Sequence, residues 1–207
     1  MSSIVEVVKK AREQAKKRNF TQTFDLIVNT KGIDLKKPEN RFEDVVFLPE
    51  GRGKEAKIAI FSDEVKGIEG CDIIKSSQIE AIGRNKREAR KLANSYDFFF
   101  ADPKLMPVVG RHLGQILGPR GKMPKPLVGD VKKLVSSYKN AVRIVLKKNP
   151  VIQTIVGTED MKDESVAKNV KFVLDAIMKK LPQGKNNVRS VYLKLTMGKP
   201  VKVDVTW

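Results

Sequence analysis

Toward the C-terminal end of the 207-residue chain, a threonine, a methionine and a glycine follow one another in the run SVYLKLTMGKP, Ser190 to Pro200. A hydroxyl, a thioether and a missing side chain suit hydrogen bonding and flat apolar contact rather than proton transfer. The residues before them alternate. Val191, Leu193 and Leu195 fall on one face of a strand, and Ser190, Tyr192, Lys194 and Thr196 on the other. A second run, TFDLIV from Thr23, has the same period: Phe24, Leu26 and Val28 oppose Thr23, Asp25 and Ile27. If the two strands are neighbours, one sheet face is apolar and the other carries hydroxyls, a carboxylate and a lysine. Such a face suits the shallow minor groove of an RNA helix, which displays 2′-hydroxyls and base edges. Asp25 repels phosphate, so it is expected to meet base donors or 2′-hydroxyls. Gly198 is expected to let a ligand approach the backbone, and Met197 to lie on a ribose or base.

Catalytic chemistry has little to work with. There is one histidine, His112, and one cysteine, Cys71. No H-E-x-x-H or C-x-x-C spacing occurs, so no zinc site of usual type is expected. A Ser-His-Asp site would need His112, which reads as a loop or helix-surface residue. The run GPRGK, Gly118 to Lys122, resembles a phosphate loop, but Ile116 stands where the first glycine belongs and Met123 where a magnesium-binding hydroxyl belongs. ILGPRGKM also looks like the G-x-x-G loop that clamps nucleic-acid backbone. The expectation here is a loop whose backbone N–H groups, with Arg120, Lys122 and Lys125, meet phosphate. A second basic run, RNKREARK, offers Arg84, Lys86 and Arg87 on a helix, either a solvated face or a phosphate-facing one.

The elements that must position these residues divide into two series. The formal net charge of +17 predicts a polyanionic partner, with nucleic acid ahead of an anionic membrane. No apolar run approaches membrane-spanning length, and a single cysteine excludes an internal disulfide framework. Ile4, Val8, Ala11 and Ala15 mark a helix face before the Thr23 strand, and RFEDVVFLP reads as another strand. After the polar EGRGKEAK, strands KIAIF, CDII and YDFFFAD alternate with helices over Ser76–Ser95, the first broken at Gly83, and around GDVKKLVSSYK. AVRIVL closes that series, which argues for a parallel α/β layer. Beyond KKNP come the strand VIQTIV, a helix faced by Val166, Val170, Val173, Leu174, Ile177, Met178 and Leu181, the Ser190 strand, and the alternating VKVDV.

The outer segments read helix-strand-strand and strand-helix-strand. Together they make a discontinuous α+β sandwich of split βαβ type. Residues 1–56 and 149–207 form one domain, and residues 57–148 an inserted α/β domain. Both are net positive. The crossings suggest a hinge at Gly51, Gly53, Lys148 and Asn149.

RNFTQTFDLIVN, KPENR, LPEGRGKEAKIAI, GRHLGQILGPRGKMPKP and SVYLKLTMGKPVKV resemble the L-one family of large-subunit ribosomal proteins, in a form closer to archaeal members. The resemblance runs from the first helix to the last strand. It implies no enzyme activity, cofactor or metal, and an inserted domain that is Rossmann-like with three layers. It implies binding of large-subunit rRNA to form the mobile stalk beside the exit site for tRNA. Repression through the mRNA leader of the protein's own operon would accompany this. A free monomer in the cytoplasm, with no membrane attachment, is also implied. The family's RNA-binding residues fall on Phe20, Thr23, Asp25, Ser190, Thr196, Met197 and Gly198. Arg18, Arg41 and Lys194 are added for charge and position, and the basic residues of the inserted domain as secondary contacts to rRNA or tRNA. Two alternatives remain on the sequence: a nucleotide-dependent enzyme on the inserted domain, and a regulator gripping single-stranded RNA with Gly118–Gly121.

Overall fold

A computed structural model describes residues 2–65 and 70–204, with side chains from Ile4 onward. In chain order the elements are α1 (Ser2–Glu13), β1 (Thr23–Thr30), β2 (Phe42–Phe47), β3 (Ile58–Phe61), β4 (Cys71–Ile74), α2 (Ser76–Arg84), α3 (Lys86–Ser95), β5 (Phe98–Ala101), α4 (Met106–Leu117), β6 (Lys125–Pro126), α5 (Val131–Tyr138), β7 (Ala141–Leu146), β8 (Val151–Thr158), α6 (Asp163–Lys180), β9 (Val188–Leu195) and β10 (Val201–Val203). Val205, expected to continue the last strand, lies outside the described residues. The chain divides into two compact units, Met1–Glu55 with Asn140–Trp207, and Ala56–Lys139.

The first unit is built on a four-stranded antiparallel sheet in the order β10-β9-β1-β8. Period-two alternation puts Phe24, Leu26 and Val28 of β1 beside Val191, Leu193 and Leu195 of β9, all buried. Helices α1 and α6 pack on that face. They contribute Val8 and Ala11, and Val166, Val170, Val173, Leu174 and Ile177, to one continuous core. A separate antiparallel pair, β2 with β7, joins the same core through Val46, Val142, Ile144 and Leu146.

That pairing corrects the expected series. AVRIVL does not close the parallel layer. Arg143 interrupts the apolar run and reaches the carboxylate of Glu43 at 3.6 Å, beside Lys147. One wet face and one buried face define an antiparallel strand, whereas strands of a covered parallel sheet are apolar on both sides. The second crossing between units therefore falls between Lys139 and Asn140. Lys148 and Asn149 lie in the turn from β7 to β8, inside the first unit. Gly51 and Gly53 have left-handed φ of +73° and +82°. The Gly51 carbonyl accepts a hydrogen bond from buried Asn169 at 2.8 Å, and a Cβ on Gly53 would overlap the Thr158 side chain. Both glycines are thus built into the body of the first unit.

In the second unit, β4-β3-β5-β6 form a parallel sheet. Ala59, Phe61, Phe99 and Ala101 face the layer of α2, α3 and α4. The alternate residues Phe98 and Phe100 meet Tyr138 of α5 edge-on, with ring centroids 5.2 and 4.8 Å apart. Three layers result. The break in the first helical run is at Asn85, not Gly83. The Asn85 side chain accepts the Arg87 N–H at 3.1 Å and starts α3 as its N-cap. Gly83 instead lets α4 come close, since a Cβ there would lie 2.7 Å from His112 Cβ. His112 is a half-buried helix residue serving that packing.

Candidate nucleic-acid interface

Strand register places Asp25, Lys194 and Ser190 on one face of the first unit's sheet. Asp25 pairs with Lys194, Ile27 with Tyr192, and Asn29 with Ser190 across β1 and β9. All six point away from the helices and are half-buried. On β8, exposed Gln153 continues the row of Ile27, and Lys202 of β10 flanks Tyr192. Tyr192, Asn29, Gln153 and Lys202 were not selected from sequence, although parity alone places Tyr192 and Asn29 on this face once the strand pairing is known.

At the open end of the sheet, Thr23 and Thr196 form a tight pair. The Thr23 N–H donates to Thr196 Oγ1 at 3.0 Å, and the two hydroxyl oxygens are 3.0 Å apart. The Thr196 N–H returns to the Thr23 carbonyl at 3.0 Å. Thr23 also donates its hydroxyl to Asp25. The Thr196 hydroxyl also lies 3.3 Å from the Thr23 carbonyl, so its one hydrogen can go to that carbonyl or to Thr23 Oγ1. A β-bulge on β8 sits opposite Phe24 and Asp25, a device that re-aims side chains. Burial pushes the Asp25 carboxyl up from its ordinary range, and this outweighs the opposing pull of Lys194 and the Thr23 hydroxyl. The carboxylate is desolvated but lacks enough donors to offset that cost.

Thr196, Met197 and Gly198 form a turn, closed by the Gly198 N–H donating to the Leu195 carbonyl at 2.8 Å. Met197 is 58% exposed and Phe20 51% exposed, both large apolar groups left in solvent at this end. Gly198 has a different role from the one expected. A Cβ there would stand 3.3 Å from Ala15 Cβ and 3.4 Å from Leu195, so the missing side chain seats the turn against the chain just after α1. Lys194 also departs from expectation. Its ammonium donates to the Thr196 carbonyl at 2.8 Å and steadies the turn. Ser190 accepts from Asn29 Nδ2 at 2.9 Å, six residues and about 20 Å further along β9.

Arg18 is exposed in the segment before β1. Arg41 is not gathered with these residues. It precedes β2, whose partner β7 leads through a turn to the end of β8 that pairs with Asn29. Its guanidinium donates to the carbonyls of Leu35 and Lys36 at 2.6 and 3.3 Å.

In the second unit the GPRGK run is a helix terminus. The Lys122 N–H bonds the Leu117 carbonyl at 3.0 Å and the Gly121 N–H bonds the Gly118 carbonyl at 2.9 Å. With Gly121 at φ +64°, this is a Schellman cap on α4. Three of the loop's amides, those of Gly118, Gly121 and Lys122, are spent on carbonyls, so neither a phosphate cradle nor a backbone clamp is formed. Lys122 donates its ammonium to the carbonyls of Ala93 and Tyr96 at 2.8 and 2.7 Å. Arg120 bonds Asn94, and Lys125 sits over the Tyr138 ring. Arg84, Lys86 and Arg87 remain exposed.

Among the described residues, no group of three or more His, Cys, Asp or Glu side chains could hold a metal ion, and no helix is long and apolar enough to cross a membrane. The protein is basic and has two α/β-type units, the first with a largely polar sheet face turned away from its helices. Residues 9–199 match the model of the ribosomal protein L1p/L10e family, and the chain belongs to that family. It is similar to large ribosomal subunit protein uL1 of three archaea. Identity is 51% to that of Pyrococcus horikoshii, over 97% of this chain and 95% of the relative. It is 50% to that of Thermococcus kodakarensis, over 97% and 96%, and 46% to that of Methanothermobacter thermautotrophicus, over 97% and 98%. The protein is a non-enzymatic structural component of the large ribosomal subunit.

Proposed function

We propose that the first unit holds a folded segment of large-subunit rRNA against the open face of its four-stranded sheet. The observation that carries this reading is the Thr23–Thr196–Asp25 network beside exposed Met197 on an uncovered face. The hydroxyls can donate to and accept from ribose 2′-hydroxyls. The under-partnered Asp25 carboxylate takes donors from base amino groups or 2′-hydroxyls, and each such donor offsets its desolvation. Met197 and Phe20 supply flat apolar contact with sugar or base. Arg18 and the neighbouring lysines of the segment before β1 neutralise phosphates and release counterions, which sets the salt dependence. Arg84, Lys86 and Arg87 are secondary, charge-only contacts.

Family membership carries the wider reading. The rRNA complex is the mobile stalk beside the exit site, and the second unit meets departing tRNA. The same sheet face represses translation by binding a similar fold in the mRNA leader of the protein's own operon. The free protein is a cytoplasmic monomer. The direct test is affinity for the stalk rRNA fragment. Met197→Ala should lose on the order of 1–3 kcal/mol without changing the slope of log K against log salt. Lys86→Ala should change that slope by a fraction of a unit and affinity little. Equal losses in the two variants would overturn the assignment. Competition by the leader mRNA for Met197→Ala and parent alike tests the shared site.

A further inference from the structure

We infer that Gln22 is a positioning residue that fixes the Thr196–Gly198 turn in its RNA-binding form before RNA arrives, an inference that rests on the reading above. Gln22 is a polar side chain only 1% exposed, placed one residue before Thr23. Its Oε1 accepts the Met197 N–H at 3.1 Å. Its Nε2 donates to the Lys16 carbonyl at 3.2 Å and to Glu159 Oε2 at 3.3 Å. Its own carbonyl accepts the Glu159 N–H at 2.9 Å. One side chain therefore ties together the segment after α1, the loop after β8 and the turn after β9.

Chemistry makes this role specific to an amide. A turn amide at the open end of a sheet would otherwise bond water and leave Met197 free to rotate. Oε1 removes that freedom. Nε2 in turn needs two acceptors, and the Lys16 carbonyl with Glu159 supplies both, so the amide has one orientation. A glutamate in this place keeps the acceptor for Met197 but sets oxygen against Glu159 and the Lys16 carbonyl. A turn fixed in advance spends no ordering entropy at binding, so Gln22 contributes to affinity without touching RNA. Nothing in sequence pattern points to it, since a polar residue beside a strand start reads as solvated.

The test uses the full chain and the stalk rRNA fragment. Gln22→Glu removes both bonds donated by Nε2 and so loosens the turn, and it should weaken binding about tenfold at an unchanged salt slope. The double change Gln22→Glu with Glu159→Gln restores the amide–carboxylate bond to residue 159 but not the bond to the Lys16 carbonyl, and should recover part of the affinity. Thr196→Val, measured alongside, separates the two levels. If it binds as tightly as the parent, the interface reading falls. If it is weakened while Gln22→Glu is not, or the exchange restores nothing, the positioning role falls. Amide hydrogen exchange of the unmodified protein needs no variant. The Met197 N–H should be protected before RNA is added, and exchange at the rate of an open loop overturns the proposal.

Discussion

The Thr23–Thr196–Asp25 chain makes a quantitative expectation for a double-mutant cycle. Thr196→Val removes the acceptor for the Thr23 N–H and the hydroxyl that contacts Thr23 Oγ1. Thr23→Val removes that same hydroxyl contact and the donor to Asp25. At about 1 kcal/mol for each half-exposed bond, each single change costs about 2 kcal/mol of folding stability. The pair shares one bond, so the double variant costs about 3 kcal/mol and the coupling is about 1 kcal/mol. Urea unfolding of the four proteins measures this directly. The Thr23 hydrogen bond to Asp25 adds a second readout. Thr23→Val should raise the Asp25 pKa further, because the carboxylate loses a donor, while Thr196→Val should leave that bond in place. Carboxyl carbon chemical shifts followed with pH report it. Strict additivity, or an Asp25 titration indifferent to Thr23→Val, would show that the hydroxyls do not form the linked network described above.

Asp25→Asn should raise the melting temperature of the free protein at pH 7 and weaken rRNA binding. The folded carboxyl titrates above its ordinary value of 3.8, so its ionised form is penalised at higher pH and the advantage of asparagine should fade as pH falls below that value; a gain that persists in acid contradicts this. Thr154 is buried on the core side of β8 and its Oγ1 has no hydrogen-bond partner among the described residues, so Thr154→Val should stabilise by about 1 kcal/mol in urea unfolding, and a loss of stability refutes the assignment. Gly121→Ala should cost about 1 kcal/mol through its left-handed φ yet leave rRNA affinity unchanged, whereas a collapse of affinity with folding intact would restore a phosphate role to that loop.

Legibility tracked how local each determinant is. Phe24–Val28 and Val191–Leu195 announce their faces by period two, so the buried side of the main sheet and its polar reverse could be read before any contact was known. The pairing of β2 with β7 could not, because it joins segments about a hundred residues apart, although Arg143 inside AVRIVL already marked a strand with one wet face. Asn85 outweighed Gly83 as the helix break because a side-chain cap stops a helix actively, while a glycine only weakens one. GPRGK misled for a related reason. A glycine followed by lysine serves a phosphate loop and a Schellman cap equally well, and only the destination of each N–H tells them apart.

Charge was the least local signal and the poorest guide to position. A net +17 names a polyanion as partner, yet Arg41, Arg120, Lys122 and Lys194 all direct their cationic groups at the protein's own carbonyls or amides. A cation held in this way still contributes to the long-range field that favours a polyanion, but it is less available as a bidentate phosphate clamp. On the proposed function, discrimination then falls to the neutral and acidic groups: two hydroxyls, an amide-fixed turn, an exposed thioether and a carboxylate that repels backbone phosphate. Those groups are worth little against a generic polyanion. On the proposed reading they reward a ligand whose 2′-hydroxyls and base edges arrive in the right places, so that affinity and specificity would rest on different residues and separate with salt.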